Sequence, residues 1–372
     1  MLKRLFKRTK KQKRVLDAMQ VEVASVCNMK CTFCPTTHIT QNNSNDLMPL
    51  NLYKKLTPYF SWTSWVYLQG WGEPMLNPNL WDMAKIAKEA GATVGMTTNA
   101  TLFSDDNIKN IIDSGVDMVS VSVAGVENHN SLRVGSDLSK LQAGIAELIK
   151  ARDKNKSSNP QVKLSYMMTK DSIQQLPEAV AMAAKLKVDE VYAINQDYVY
   201  SWEANESKIF SWTSEPNMEY QQIVETAKKK AKKVNLQLRT YPLSIDEIEP
   251  VCQINPNKFV FITATGDVTP CTCLGREENP RVFKDNFYKI PRKSFGNIKD
   301  TSFEEIWEDA SYISFREKFA KREESFKKLL RSYTDGDPSL IKMKQADETH
   351  QKELEQTPLP KECVTCTKAF GF

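Results

Sequence analysis

No apolar run in the 372-residue chain is long enough to span a bilayer. A secretory signal is also missing, because the basic start is never followed by an uninterrupted apolar core and a small-residue cleavage site. Both absences point to the cytoplasm. Cysteine is absent from residues 35 to 251. The eight cysteines that do occur therefore fall into two distant groups, and in a reducing compartment such groups read as metal or redox ligands rather than disulfides. The chain has no large excess of charge, with a formal net of +5. Nor is it short of apolar residues, at 41%, which excludes global disorder.

The length favours two domains. Much of the positive charge lies in one basic run, Lys3, Arg4, Lys7, Arg8, Lys10, Lys11, Lys13 and Arg14, within an N-terminal tail at 1–16. A solvated tail is the simpler reading of that run, ahead of contact with RNA or an anionic membrane surface.

The first cysteine group is Cys27, Cys31 and Cys34, in the run C-N-M-K-C-T-F-C. Three thiolates at C-x3-C-x2-C spacing can hold one metal centre but leave it a ligand short. A structural zinc site takes four protein ligands. An iron–sulfur cube on three cysteines has one iron open, and an open iron is a place for chemistry. Phe33 and Pro35 beside the last thiolate would shield part of such a cluster from water.

Short apolar runs alternate with amphipathic segments from there to about residue 195. Expected strands are 21–24, 65–69, 93–97, 118–123, 162–168 and 190–194. Expected helices are 50–59, 80–90, 104–114 (capped by Ser104), 138–152 and 173–186. Six β–α repeats imply an α/β fold with a parallel sheet. With a cofactor loop after the first strand, the form is a partial (β/α)6 TIM-like barrel over 17–250. Beyond a mixed stretch with a Lys-rich helix near 218–233, the pattern changes at 251. A short hairpin (259–262 and Val268), a helix over 303–319, a charged helical insertion at about 320–358 and Cys363-x2-Cys366 make up a small cysteine-rich domain at 251–372.

The cysteine loop after a first strand, with an aromatic before the last Cys, resembles the radical S-adenosylmethionine (SAM) superfamily. There SAM chelates the open iron of a [4Fe-4S] cluster, and reductive cleavage gives a 5′-deoxyadenosyl radical that abstracts a hydrogen atom. Gly70-Trp71-Gly72-Glu73-Pro74 is similar to the family's Gly-Gly-Glu-Pro turn, which holds the cofactor amino group; Trp71 stands where a Gly is usual. A polar turn at a strand end offers carbonyl oxygens and a carboxylate to an ammonium. The resemblance extends to Thr98 and Asn99 after the third strand, Ser120 and Ser122 on the fourth, and Arg133, which matches a carboxylate-binding Arg of several relatives. Asn195 and Gln196 would face the adenine.

The second group is Cys252, Cys271, Cys273, Cys363 and Cys366. A C-x2-C paired with distant cysteines also suits zinc. The surrounding segments, Gly266 to Cys271 and Phe295 to Trp307, resemble the SPASM and twitch extensions, which carry auxiliary [4Fe-4S] clusters. Five cysteines suffice for one such cluster. The resemblance implies Cys252, Cys271, Cys363 and Cys366 as its ligands and leaves Cys273 over, either as an incidental thiol or as a hydrogen-atom donor to a substrate radical.

The chain is thus expected to be a radical SAM oxidoreductase with one auxiliary cluster in electron transfer. Its expected partners are a small polar metabolite or a peptide and a reductant such as flavodoxin or ferredoxin. The short tail before the first strand leaves no room for a leader-binding domain, which favours small molecules. The alternatives are a peptide maturase or epimerase, an RNA-modifying radical enzyme, and a zinc-binding interaction protein without catalysis.

Overall fold

The computed structural model describes residues 15–39, 46–245, 250–334 and 339–372. The basic run at 3–14 lies outside the described residues, as does most of the break in the charged insertion. The core is one nine-stranded sheet. Its strands in chain order are β1 (Leu16–Val21), β2 (Thr63–Leu68), β3 (Thr93–Thr98), β4 (Met118–Val123), β5 (Gln161–Met168), β6 (Glu190–Asn195), β7 (Gln237–Thr240), β8 (Phe259–Ile262) and β9 (Val268–Thr269). In space the order is β9-β8-β1-β2-β3-β4-β5-β6-β7. All neighbours pair in parallel except β8 with β9, and the first and last strands do not meet, so the barrel is open.

Helices cover the outer face. They are α1 (Leu80–Glu89), α2 (Asp105–Asp113), α3 (Leu138–Lys154), α4 (Leu176–Leu186) and α5 (Met218–Lys233). Their ends follow local chemistry. The Ser104 hydroxyl accepts from Asn107 N–H at the start of α2, and Gly91 and Gly115 take positive φ just past α1 and α2. Strand residues facing the helices, such as Val66, Val94, Val119, Val121, Leu164 and Val191, are fully or almost fully buried. Their partners on alternate positions face the barrel interior.

Four expectations shift. The first strand runs from 16 to 21 rather than 21 to 24. Past Val21 the Glu22 N–H still donates to Ile262 O (2.8 Å), while its carboxylate accepts from Trp71 N–H (2.9 Å) and Ala264 N–H (3.1 Å). The segment 50–59 forms only a short helix, Leu50–Lys54, before a 3-10 turn that contains Pro58. The expected C-terminal hairpin is not free-standing: β8 pairs along β1 with Ala18 opposite Phe259, so residues beyond 251 extend the main sheet. The helix expected over 303–319 is two, α6 (Phe303–Trp307) and α7 (Ala310–Thr334), with Asp309 between them accepting from Ser311 N–H.

Two elements lie outside those expectations. β7 is a seventh parallel repeat hidden in the mixed stretch. A hairpin of β10 (Glu278–Phe283) and β11 (Asn286–Pro291) turns at Lys284-Asp285, both at positive φ. The charged insertion is α7 packed with α8 (Leu340–Gln356), pinned by a Ser325–His350 hydrogen bond of 2.7 Å. Arg322 ties it back to the carbonyls of Pro250 and Thr357. No described helix is long and apolar enough to cross a membrane.

Candidate functional site

The loop after β1 and the strands β2 to β7 surround a cavity of about 510 Å³. Cys27, Cys31 and Cys34 all line it, with Gly70, Gly72, Glu73, Thr98, Asn99, Ser120, Ser122 and Arg133. Pro74 does not: it is buried behind the wall, where it starts a 3-10 turn.

Three backbone approaches fix the cysteine loop here. Glu73 N–H donates to Val26 O at 2.9 Å. A Cβ on Gly72 would stand 2.3 Å from Val26 O and 2.5 Å from Ala24 O, so only glycine lets the turn come this close. On the other side Cys31 pairs antiparallel with Arg133, and Thr32 N–H donates to Leu132 O at 2.9 Å. The loop is therefore held between the β2 turn and the segment after β4.

Glu73 differs from expectation. Its carboxylate is 2% exposed and is taken up by the protein, accepting from Thr98 Oγ1 (2.7 Å), Asn99 N–H (2.7 Å) and Met75 N–H (3.1 Å). Burial pushes its pKa up and the three donors oppose that shift. Asn99 is equally engaged: its amide donates to Asn28 Oδ1 at 2.9 Å and to Cys27 Sγ at 3.8 Å. Glu73, Thr98 and Asn99 thus brace the cysteine loop, while the backbone of Gly70 to Gly72 lines the cavity.

The groups left unpaired face the same space. Arg133 is 7% exposed and its Nε is buried with no hydrogen-bond partner. The Ser120 and Ser122 hydroxyls line the cavity and make no hydrogen bond among the described residues. Burial raises the Cys27 thiol and lifts Cys31 to about 11, with Arg133 opposing the latter. Such thiols are neutral unless a metal ionises them. No set of three His, Cys, Asp or Glu side chains among the described residues is placed to hold a single metal ion. Thiols spread around a loop beside an unpaired guanidinium fit a multi-iron cluster with an anionic ligand better than one zinc.

Asn195 and Gln196 turn away from this cavity. Asn195 donates to Pro242 O (2.6 Å) and Gln196 to Phe33 O (3.4 Å), so Ile194 takes the wall position.

Cys252, Cys271, Cys363 and Cys366 line a second, small cavity together with Arg281 and Lys368. Burial lifts the Cys252 thiol to about 11 and carries Cys363 well above its usual range; a Cys273 contact does the same for Cys366. The buried Arg281 has an unpartnered Nε, and the guanidinium donates to the carbonyls of Glu362 and Cys273. Four thiols on buried and half-buried residues with an arginine beside them suit a cysteine-ligated anionic cluster.

Cys273 is off the first cavity. It is buried among the second group, against Cys271 and Cys366; the Cys271 thiol and burial push it to about 12, with Cys366 opposing them. Cys273 is not among the residues that line the first cavity, and its sulfur belongs to the second group.

Trp71, the departure from the Gly-Gly-Glu-Pro pattern, joins the two sites. It lines the first cavity while its Nε1 donates to Thr272 O (3.3 Å), next to Cys271. Arg276 lies over its ring at 5.3 Å and Tyr198 tilts against it at 5.4 Å. Sequence reasoning missed Trp71's bridge and Arg276, which depend on contacts between segments some 200 residues apart, as for Trp71 and Thr272, and Arg281, whose partners Cys273 and Glu362 meet only in the fold.

Comparison with known proteins agrees with this geometry. The radical SAM superfamily model matches residues 21–183, and the SPASM iron–sulfur cluster-binding domain model matches residues 252–329. A tungsten-containing aldehyde ferredoxin oxidoreductase cofactor-modifying protein of Pyrococcus furiosus is 27% identical over 312 residues, covering 80% of this chain and 82% of that protein. A PqqA peptide cyclase of Gluconobacter oxydans is 22% identical, covering 78% and 76%. Among solved structures, anSMEcpe with bound AdoMet shares the fold at TM-score 0.60 and 17% identity, over 91% of this chain and 93% of that one. Streptococcus suis SuiB bound to S-adenosylmethionine does so at TM-score 0.58 and 14% identity, over 82% and 68%. The chain is an enzyme of the radical S-adenosylmethionine superfamily, with a C-terminal SPASM-type domain, and its cofactors are SAM and [4Fe-4S] clusters.

Proposed function

We propose that Cys27, Cys31 and Cys34 hold the SAM-binding [4Fe-4S] cluster and that SAM lies along the cavity rim from Gly70 to Arg133. When bound, this pair supplies a 5′-deoxyadenosyl radical for hydrogen-atom abstraction. The protein's part is to orient and exclude. The Gly70–Gly72 backbone presents carbonyl oxygens to the SAM ammonium. Arg133, fixed by its pairing with Cys31, offers its buried Nε–H to the carboxylate, and Ser120 and Ser122 offer hydroxyls to the carboxylate and ribose. Glu73, Thr98 and Asn99 keep the cysteine loop and the β2 turn in register. Phe33 and Met29 pack beside the thiols and limit water.

The observation that carries this reading is the meeting of three thiols, a glycine-bounded turn and an unpaired buried guanidinium on one cavity. The auxiliary site at Cys252, Cys271, Cys363 and Cys366 is assigned to electron transfer, with Arg281 setting its charge balance. A one-electron donor such as flavodoxin or ferredoxin is the assigned reductant. The substrate is a small polar metabolite or a peptide, transformed in the cytoplasm.

The test is anaerobic reconstitution followed by reduction with dithionite in the presence of SAM. The wild type is expected to release 5′-deoxyadenosine, and a C27A/C31A/C34A protein none. A wild type with full iron content that leaves SAM intact would overturn the reading.

A further inference from the structure

The cavity wall that SAM leaves uncovered is built by late strands. Lys163 and Ser165 on β5, Tyr192 on β6, Arg239 on β7 and Tyr241 just after it all face the cavity, with Tyr67 of β2 on the opposite side. The register sets them in rows: Ser165 lies beside Tyr192, and Tyr192 beside Arg239. Inward-facing residues on neighbouring strands therefore form one continuous surface.

The charge on this surface has one sign. Lys163 and Arg239 reach the cavity, and among its lining residues the one carboxylate is Glu73, already committed to Thr98 and Asn99. Glu190 stands behind the wall, 3% exposed and not part of the lining. It accepts from Lys163 Nζ at 2.7 Å and from Arg239 Nε, which fixes both cations. Burial alone would raise its pKa, but these two partners hold it below the ordinary carboxylate range, so Glu190 is ionised at neutral pH. One carboxylate against two cations leaves a net positive charge at the wall.

Arg239 is poised rather than spent. Its Nε is used by Glu190, while its terminal nitrogens make no hydrogen bond among the described residues. The guanidinium lies over the Tyr192 ring, 4.6 Å from its centroid, which adds a second anchor beside Glu190. A guanidinium held at one edge with its fork open matches the geometry of a carboxylate or phosphate.

We propose that the substrate carries an anionic group, a carboxylate or a phosphate, that seats on Arg239 and Lys163, so that these two residues select for negative charge. The proposal rests on the cofactor reading above, because this is the wall that remains once the SAM residues are assigned. Glu190 is a positioning residue that acts through both cations.

The test uses reconstituted, SAM-loaded protein titrated calorimetrically with inorganic pyrophosphate and, separately, with glutarate. These probes distinguish a phosphate from a carboxylate. At least one anion is expected to bind the wild type. R239Q is expected to weaken that binding at least about tenfold, the loss of one charge-assisted pair. K163Q should weaken it in the same direction. SAM affinity of R239Q should match the wild type, and the variant, whose side chain is half exposed and which leaves Lys163 on Glu190, should keep the wild-type far-UV circular dichroism. Failure of both anions to bind the wild type, or equal binding to R239Q, would overturn the proposal. SAM affinity is measured separately, on the same reconstituted preparations before SAM is added, and the anion titrations are repeated without SAM. A wild type that binds an anion through Arg239 but not SAM would therefore sink the cofactor reading and leave the anionic wall standing.

Discussion

Gly72 sets the path of the cysteine loop, and His129 sets a pH dependence of stability. Alanine at 72 would drive its Cβ to within 2.3 Å of a backbone carbonyl, and backbone yields less readily than a side chain. G72A is expected to displace the loop and lower iron by about four per chain, one cube's worth. The second site should be left intact, and iron analysis with visible absorbance reads this out. His129 is fully buried near Arg133 and hydrogen-bonds Ser136 Oγ at 3.0 Å. Burial first, then the Arg133 charge, lowers its pKa from 6.5 to about 4. The unfolded chain therefore takes up a proton that the folded one refuses between those values. Stability should fall as pH drops through that window, by on the order of 2 kcal/mol, and H129Q should lack this contribution in urea unfolding. His129 was not singled out in the sequence. The Gly72 motif was legible, but that it approaches Val26 was not, because the approach depends on how two strands pair.

Among the elements, β8 has the largest structural consequence. It is four residues long and pairs with a strand some 240 positions earlier, Ala18 with Phe259. Phe261 is fully buried, and Thr269, two residues before Cys271, donates to its carbonyl. F261A should cost about 3–5 kcal/mol as a buried aromatic truncation. Urea unfolding followed by tryptophan fluorescence and by cluster absorbance should give one coincident transition, because the strand is shared between the two sites. The repeats from β2 to β6 could be read almost to the residue because alternating burial within each strand writes its own period, as in Met118-Val119-Ser120-Val121-Ser122-Val123. The strands β7 and β8 could not. Gln237–Thr240 has no strongly apolar face, and a short apolar run such as Phe259–Ile262 looks the same whether it forms a hairpin or joins a distant parallel partner. The candidate ligands of both clusters were legible from cysteine spacing and family resemblance. The cationic wall was not, since Lys163 and Arg239 become neighbours only through Glu190.

Across the whole molecule, two buried cysteine sites lie either side of Trp71, and the same sheet supports both. On the proposed reading the first site serves SAM chemistry, the second accepts or delivers an electron, and an anion-selective wall lies between the SAM residues and the open edge of the barrel. The claim that unites these parts is that each site holds its own four-iron cube. Iron and acid-labile sulfide, measured per chain after anaerobic purification and reconstitution, test it most directly. The account predicts about eight of each in the wild type and about four in both C27A/C31A/C34A and C363A/C366A, from two independently ligated cubes. About four in the wild type, or zinc in place of iron, would contradict it.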